Sequence, residues 1–273
     1  MMRPSEFMKY HAPALEANEA KYNLILGLLG NPSAKELRLW TLPGPGWPGS
    51  CAIQYPDRPI VLGSLSEAQC HQLADQTQAL DYPGVVGCDD TARWFVDEAE
   101  RLGLRFRDPI PQAIHVLDSS PTYPAASGYA RQVCDEDANL FLDWMLAFLN
   151  EAVPHDPKPS REQLETTISD GRFFFWIVDD QPVSMAGIAR RTRNTAAISG
   201  VYTPPSLCGR GYAGSVTAAV AERIFAEWKT AACLYTDLRN PSSNRCYARV
   251  GFTTICGSLH YVRVQEGAND VRP

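Results

Sequence analysis

The stretch with the clearest capacity for chemistry is VYTPPSLCGRGYAG, residues 201–214. An apolar strand end breaks at Pro204-Pro205, passes through three glycines and continues into an Ala/Val-rich helical pattern. Glycines let backbone N–H groups approach a ligand closely, and the helix start adds its unpaired N–H groups and its dipole. Together these predict a seat for a phosphate or pyrophosphate, to which Arg210 adds positive charge. An ordinary strand–turn–helix connection is the alternative for this stretch taken alone.

A second motif, NPSSNRCYARVGF, follows the strand-like run 234–239. Its key residues fall at the offsets N-x-x-x-N-x-x-Y-x-x-x-G-F, and they are Asn240, Asn244, Tyr247, Gly251 and Phe252. The two motifs, in this order, resemble the two signatures of the GCN5-related N-acetyltransferase (GNAT) superfamily over roughly residues 127–265. That resemblance favours a ligand seat at the glycine stretch over an ordinary connection.

The first motif departs from the superfamily at one position. Against the coenzyme loop Q/R-x-x-G-x-G/A, Gly211 takes the glycine position and Ala213 the final small residue, but Cys208 stands where a Gln or Arg is expected. The departure puts one side-chain contribution in doubt and leaves the backbone seat unaffected.

The resemblance implies an α/β fold with a mixed sheet, the GNAT acyl-CoA N-acyltransferase fold. It also implies acetyl-CoA as co-substrate, held in a wedge between strands 195–203 and 232–239, without a metal. Gly200 would allow a bulge that re-aims the first of these strands. The residues expected to bind the coenzyme are Val201, Tyr202, Cys208, Gly209, Arg210, Gly211, Tyr212, Ala213, Gly214, Asn240 and Asn244.

The resembled reaction is direct attack of an amine on the thioester, which requires a proton donor for the departing thiolate. Tyr247 matches the tyrosine that lies near the sulfur and is the candidate general acid; a packing role between helix and sheet is the alternative. Asn244 has a second interpretation as well, which is to cap or steady the helix.

The general base is left open by the sequence. Asp237, Glu136 and Tyr202 are candidates, and a chain of water molecules is another possibility. Covalent catalysis through Cys208 or Cys246 is disfavoured, because no histidine lies close in sequence to activate either thiol. Three arginines in the turn RRTRN, residues 190–194, could attract an anionic acceptor, although a solvated basic turn is the simpler interpretation.

Composition limits the classes of function. The formal charge is −6 with no dense basic stripe, which argues against nucleic-acid binding. No run of about 18 apolar residues is present, so no membrane span is expected. Eight scattered cysteines without a C-x-x-C pair favour reduced thiols in a cytoplasmic protein. We also expect a monomer or a homodimer, which the cysteine pattern does not decide.

The chain divides by composition into two parts. The Ser/Pro-rich stretch 119–128 is the best linker candidate, between an N-terminal α/β domain at 1–118 and the acetyltransferase domain at 129–265. Residues 5–30 suggest one helix, and 266–273 a flexible tail. GVVGCDDTARWF loosely resembles the coenzyme loop of a degenerate GNAT-like half, but Asp89-Asp90 would repel phosphate there.

The leading hypothesis is therefore an acetyl-CoA-dependent N-acetyltransferase acting on the amine of a small molecule or an amino-acid-like acceptor. A binding module that senses the coenzyme without using it is the alternative, and Cys208 favours that alternative mildly. A nucleotide-dependent phosphotransferase is disfavoured because G-x-x-x-x-G-K-[ST] does not occur.

Overall fold

The computed structural model of the chain describes residues 3–30, 37–44, 48–154, 158–227 and 229–264. The predicted tail, 266–273, lies outside these residues. The helices are α1 (Pro4–Glu16), α2 (Asn23–Leu29), α3 (Glu67–Thr77), α4 (Asp89–Arg101), α5 (Ala138–Ala152), α6 (Arg161–Ser169), α7 (Tyr212–Ala226) and α8 (Pro241–Val250). The strands are β1 (Arg38–Thr41), β2 (Cys51–Gln54), β3 (Ile60–Leu62), β4 (Gly84–Cys88), β5 (Ile110–Leu117), β6 (Tyr129–Gln132), β7 (Phe173–Val178), β8 (Gln181–Arg191), β9 (Thr195–Tyr202), β10 (Ala231–Asp237) and β11 (Thr253–Val262).

The chain forms two compact units. Unit 1 comprises Met1–Gln112 with Cys256–Pro273, and unit 2 comprises Ala113–Ile255. The unit boundaries therefore fall inside β5 and β11, whereas the predicted boundaries enclose 129–265 in one domain. The proposed linker, 119–128, lies wholly inside unit 2.

Unit 1 contains a mixed sheet in the order β1-β2-β3-β4-β11. β3 and β4 are parallel, and the other pairs are antiparallel. The single helix predicted over 5–30 is two helices in the structure, because Ala17–Tyr22 forms turns rather than continuing α1. Ser66 caps α3 in a capping box with Gln69.

Unit 2 contains a mixed sheet in the order β5-β10-β9-β8-β7-β6. β9 and β10 run parallel, while β6 to β9 form antiparallel pairs. One buried cluster lies under α7 and includes Val216, Val220 and Leu234; another, under α5 and α6, includes Phe141 and Phe175. The two apolar clusters place helices on both faces of the sheet.

The element order of unit 2 occurs a second time in the chain. From α5 to β11 the order is α-α-β-β-β-α-β-α-β, and from α1 to β5 it is the same. The N-terminal part therefore repeats this element order, without a counterpart of β6 among the described residues. In this alignment α3 corresponds to α7, so the counterpart of the coenzyme loop is 63–66. The sequence placed it at GVVGCDDTARWF, which is wrong, because Asp89-Asp90 begins α4, the counterpart of α8.

Candidate active site

The carboxyl ends of β9 and β10 form the opening around which the site is built. The parallel ladder joins Ala231 to Thr195 and continues as far as Cys233 opposite Ala197. Beyond that pair, β9 runs to Tyr202 and β10 to Asp237 without ladder pairing between them. The two strands therefore separate toward their carboxyl ends, and β9 leaves backbone groups on that side for a ligand.

A β-bulge re-aims the end of β9, as the sequence predicted for Gly200. The register against β8 shifts between Met185↔Tyr202 and Gly187↔Ser199. Gly200 has φ +64, and a Cβ at this position would lie 2.6 Å from the Phe173 ring. Glycine is required here both by backbone conformation and by space. Val201 and Tyr202, the expected coenzyme contacts, follow the bulge directly and are half-buried.

The glycine loop that follows β9 presents an open, uncapped helix start. Gly209 and Gly211 have φ +80 and +86, and a Cβ on Gly209 would meet nothing within 4 Å. Cys208, Gly209 and Arg210 are exposed, and Tyr212 and Ala213 are half-buried at the first turn of α7. Gly211 is the N-cap residue of α7 and provides no side-chain cap. The first N–H groups of α7 therefore lack a capping side-chain acceptor.

The segment 119–128 packs against this helix start instead of acting as a linker. A Cβ on Gly214 would lie 2.3 Å from the Tyr123 ring, and a Cβ on Gly211 would lie 3.2 Å from the Tyr123 hydroxyl. The Ala126 N–H donates to Ser215 Oγ at 2.8 Å. Gly214 is thus small because Tyr123 occupies the adjacent space, not because a ligand approaches there. The open part of the predicted seat is reduced to Cys208–Gly211.

The residues of the second motif build and anchor α8. The Asn240 Oδ1 accepts from the Ser243 N–H at 3.1 Å and so caps the helix. The Asn244 amide donates to the carbonyls of Asp237 at 3.0 Å and Asn240 at 2.7 Å. The Asn244 Oδ1 accepts from the Thr236 hydroxyl at 2.6 Å. Asn244 therefore has the steadying role that the sequence left open, with both ends of its amide engaged by protein.

A buried histidine, which no sequence motif indicated, extends this anchor. His115 on β5 lies 3.3 Å from Thr236 Oγ1 and 3.2 Å from Thr254 Oγ1 through its two ring nitrogens. Burial lowers the pKa of His115, so the ring is neutral near pH 7. No local motif identifies His115, because its partners are distant in sequence.

Tyr247 lies on the face of α8 that packs into the core. Its side chain is 9% exposed, and its ring meets Phe252 edge-on at 6.2 Å between centroids. Gly251, at φ +113, ends the helix, and its N–H donates to the Tyr247 carbonyl. Burial raises the pKa of Tyr247 above that of an ordinary phenol, so it is protonated at any physiological pH.

The three residues named as candidate bases are poorly suited to that role. Asp237 is partly buried, which raises its pKa, but hydrogen bonds from Arg239 outweigh burial and lower it overall. Burial raises the pKa of Tyr202, so this phenol stays protonated. A hydrogen bond from the Cys134 thiol lowers the pKa of Glu136, which makes it a weaker base. The water chain, the other possibility for the general base, stays a prediction.

An apolar cavity of about 230 Å³ lies between α5, α6 and the sheet of unit 2. It reaches Ser199 and Gly200, directly beside the bulge. Its other apolar lining includes Met145, Phe148, Leu149, Leu164, Phe173 and Ile188. Arg172 also lines the cavity and pairs with Asp170 at 2.6 Å. The cavity can hold an apolar group next to the end of β9.

The basic turn after β8 is engaged by protein groups. Arg191 pairs with Glu227 at 3.0 Å, and the Arg190 guanidinium lies over the Tyr235 ring at 5.8 Å. These contacts favour the structural interpretation of the turn over anion capture.

Among the described residues, no cluster of three or more His, Cys, Asp or Glu side chains is suited to a metal ion. In the same part of the chain, no helix is both long and apolar enough to cross a membrane.

Comparison with known proteins agrees with the two motifs. Residues 177–264 match the family model of FR47-like proteins. A GCN5-related N-acetyltransferase from Kribbella flavida superposes with a TM-score of 0.60 at 17% identity, covering 94% of this chain and 98% of that one. A Drosophila protein superposes with a TM-score of 0.66 at 15% identity, covering 92% and 89% of the two chains. No curated protein sequence matches the chain.

A third structure bears on the repeated element order. A tandem GNAT protein from the clavulanic acid biosynthesis pathway superposes with a TM-score of 0.51 at 12% identity, covering 87% of this chain and 86% of that one. The resemblance to the GNAT superfamily is thereby confirmed, as is the predicted fold class. At these identities the structural likenesses establish the fold and leave the activity to be argued from the site.

Proposed function

From the premise that the chain has the GNAT fold, we propose that it is an acetyl-CoA-dependent N-acetyltransferase. It transfers the acetyl group to the amine of a small, amino-acid-like acceptor by direct attack within a ternary complex. The family model and the fold support acyl transfer in general. Acetyl-CoA as donor and the class of acceptor are the finer parts of the proposal.

The observation that carries the proposal is the contrast between the two equivalent helix starts. In unit 1, Ser66 and Gln69 satisfy the start of α3 with their own side chains. In unit 2, Gly211 leaves the start of α7 without a side-chain cap, directly after strands that separate. An uncapped helix start after an open wedge suits a pyrophosphate with a pantetheine arm behind it.

Two segments of the site fit two parts of acetyl-CoA, the pyrophosphate and the pantetheine arm. The exposed loop at Cys208–Gly211 would receive the pyrophosphate, with Arg210 adding charge, and the backbone at Val201 and Tyr202 would pair with the pantetheine arm. When bound, acetyl-CoA supplies the activated acyl group. Tyr247 is kept protonated by burial and would supply the proton that the departing thiolate needs.

A covalent route through cysteine is not favoured by the contacts of the two candidate thiols. Burial raises the pKa of Cys246 and so disfavours its thiolate. The Cys208 thiol is exposed and lies 3.4 Å from the Thr203 carbonyl. Direct attack by the amine, assisted by water as base, is the route that the described side chains support.

The acceptor would place an apolar side chain in the cavity beside Gly200. The cavity lining is mainly apolar, and its volume of about 230 Å³ suits a branched or aromatic group of amino-acid size. Because the cavity lies beside the bulge, an acceptor with its apolar side chain in the cavity would have its amine directed toward the thioester. We therefore expect amines with a compact apolar group to be better acceptors than glycine or polyamines.

Binding and turnover can be tested separately. Thermal shift with acetyl-CoA, coenzyme A and ATP should show stabilisation by the first two only. A thiol-release assay over a panel of amines should then find turnover with apolar amino-acid-like acceptors. Ala189 also lines the cavity. Ala189→Leu, which would reduce the cavity volume, should lower that turnover while leaving stabilisation by acetyl-CoA unchanged. Stabilisation by ATP alone would overturn the proposal.

A coenzyme sensor without turnover is the second candidate. Cys208 at the Gln/Arg position and Tyr123 packed against the loop are the observations that favour it. A sensor would bind acetyl-CoA and release no thiol with any amine on the panel. Binding together with thiol release would exclude the sensor.

A further inference from the structure

Unit 1 contains a pair of cysteines that the proposed reaction does not use. The Cys88 and Cys256 Sγ atoms lie 2.8 Å apart, although the two residues are 168 positions apart in sequence. A disulfide has an S–S length of about 2.05 Å, so the sulfurs need to approach by less than about 1 Å to bond. Both residues are half-buried, and both are free thiols.

The fold of unit 1 brings the two thiols together. Cys88 is the last residue of β4 and pairs directly with Ser258 on antiparallel β11. Cys256 lies two residues before Ser258, so its side chain is on the same face of the sheet as that of Cys88. The sheet, not a flexible loop, therefore holds the two sulfurs in contact.

The surroundings of the pair favour the thiolate at one sulfur. The pKa of Cys256 is lowered to about 7. The hydrogen bond with Cys88 is the largest cause, burial opposes it, and the charges of Lys21 and Asp89 lower and raise the pKa respectively. The Cys256 sulfur is also 2.9 Å from the Gly257 carbonyl oxygen. The Lys21 Nζ lies 3.5 Å from Ser64 Oγ, and Tyr22 bonds the same hydroxyl.

We propose that Cys256 and Cys88 form a redox modification site, at which a hydroperoxide oxidises the pair to a disulfide between β11 and β4. The site is independent of the proposed acyl transfer. It lies at the carboxyl end of β4, and in the repeated element order this is the counterpart of the end of β10.

The chemistry requires one hydroperoxide for each disulfide. The Cys256 thiolate attacks the O–O bond, forming a sulfenic acid and releasing the alcohol after protonation. The Cys88 sulfur then attacks the sulfenic sulfur, its proton leaves with the hydroxide as water, and the S–S bond forms. The two thiols lose two electrons and the peroxide gains them, so the products are one disulfide, one alcohol and one water.

The other cysteines differ from this pair in exposure or in neighbours. Cys51, Cys70 and Cys233 are buried, and burial raises the pKa of Cys51 and Cys70 to about 12. Cys208 is exposed and has no cysteine sulfur within bonding reach among the described contacts. Cys208 is therefore a matched control for an accessible thiol without a resolving partner.

The test is titration of the folded protein with one equivalent of tert-butyl hydroperoxide, followed by thiol counting and peptide mapping. The eight thiols of the wild type should fall to six, with Cys88 joined to Cys256. Cys208→Ser should still lose two thiols. Cys88→Ser should instead give a sulfenic acid at Cys256 that a cyclic 1,3-dione traps, and Cys256→Ser should lose no pair.

Variants of Lys21 test whether its positive charge speeds the oxidation, or whether the short distance between the two sulfurs is sufficient. Lys21→Met removes the ammonium and should slow disulfide formation at pH 7 by several-fold, while Lys21→Arg should retain most of the rate. Circular dichroism of each variant before oxidation checks that it is folded. The proposal is overturned if the wild type keeps eight thiols, if mapping finds other pairs, or if Cys256→Ser loses two thiols at the wild-type rate.

Discussion

Two glycines of the same loop, Gly211 and Gly214, lack side chains for different physical reasons. Gly211 has φ +86, a conformation that L-residues with a Cβ adopt only at a cost of about 1–2 kcal/mol. Gly214 is helical, and its missing Cβ makes room for the ring of Tyr123. Only the first is needed for the proposed anion seat, so substitutions at the two positions should have different consequences.

Replacing Gly211 by valine should abolish acetyl-CoA binding while the protein remains folded. The variant would shift the backbone from its left-handed conformation and turn N–H groups away from the ligand. Calorimetric titration should give no saturable binding. The control is Gly103→Val, which has a similar φ of +97 and open space around its Cβ. Gly103→Val should bear a similar strain and bind normally; unchanged affinity in folded Gly211→Val would rule out the seat.

Removal of the Tyr247 hydroxyl should affect the chemical step more than coenzyme binding. Tyr247→Phe keeps the ring packed against Phe252 and deletes the proposed proton donor. General acid catalysis typically contributes about 10²–10⁴-fold, so kcat should fall by roughly that factor with little change in coenzyme affinity. A near-normal kcat, measured with an acceptor found on the amine panel, would assign Tyr247 to packing alone.

At the scale of elements, the 119–128 segment should be energetically coupled to the start of α7. Gly214→Ala introduces a Cβ 2.3 Å from the Tyr123 ring, and overpacking of this kind costs about 1–3 kcal/mol. In a Tyr123→Ala background the clash is absent, and alanine should then stabilise the helix by up to about 1 kcal/mol relative to glycine.

The coupling is measured by a double-mutant cycle in urea denaturation. The expected result is a Gly214→Ala effect that changes sign when Tyr123 is also replaced. Strictly additive effects would mean that the segment does not pack on α7 in solution. In that case the interpretation of 119–128 as a linker would be restored.

Local signals in the sequence predicted several features of this fold, whereas features that depend on long-range contacts were missed. The bulge at Gly200 and the steadying of α8 by Asn244 each depend on residues close in sequence, and each is present. The role of 119–128 could not be predicted, because its Ser/Pro composition is that of a linker and its partners on α7 are about 90 residues away. His115 was missed because its partners, Thr236 and Thr254, are also distant in sequence.

At the scale of the whole molecule, the repeated element order predicts two similar halves with one coenzyme seat. The α7 start is uncapped, whereas the α3 start is closed by Ser66 and Gln69. Asp89-Asp90 begins α4 and so lies at a different helix from the counterpart of the coenzyme loop, which precedes α3. The capping box of Ser66 and Gln69 lies at the start of α3, the counterpart of α7, and it supports the prediction that the N-terminal part binds no coenzyme.

Calorimetric titration of the intact chain with acetyl-CoA tests the central claim most directly, because it counts the sites without needing an acceptor. We predict one site per chain, lost in Gly211→Val and retained in Ser66→Ala. Two equivalent sites would show that the N-terminal copy also binds the coenzyme, and the contrast between the helix starts would then carry no functional meaning. No binding at all would contradict the proposed function itself.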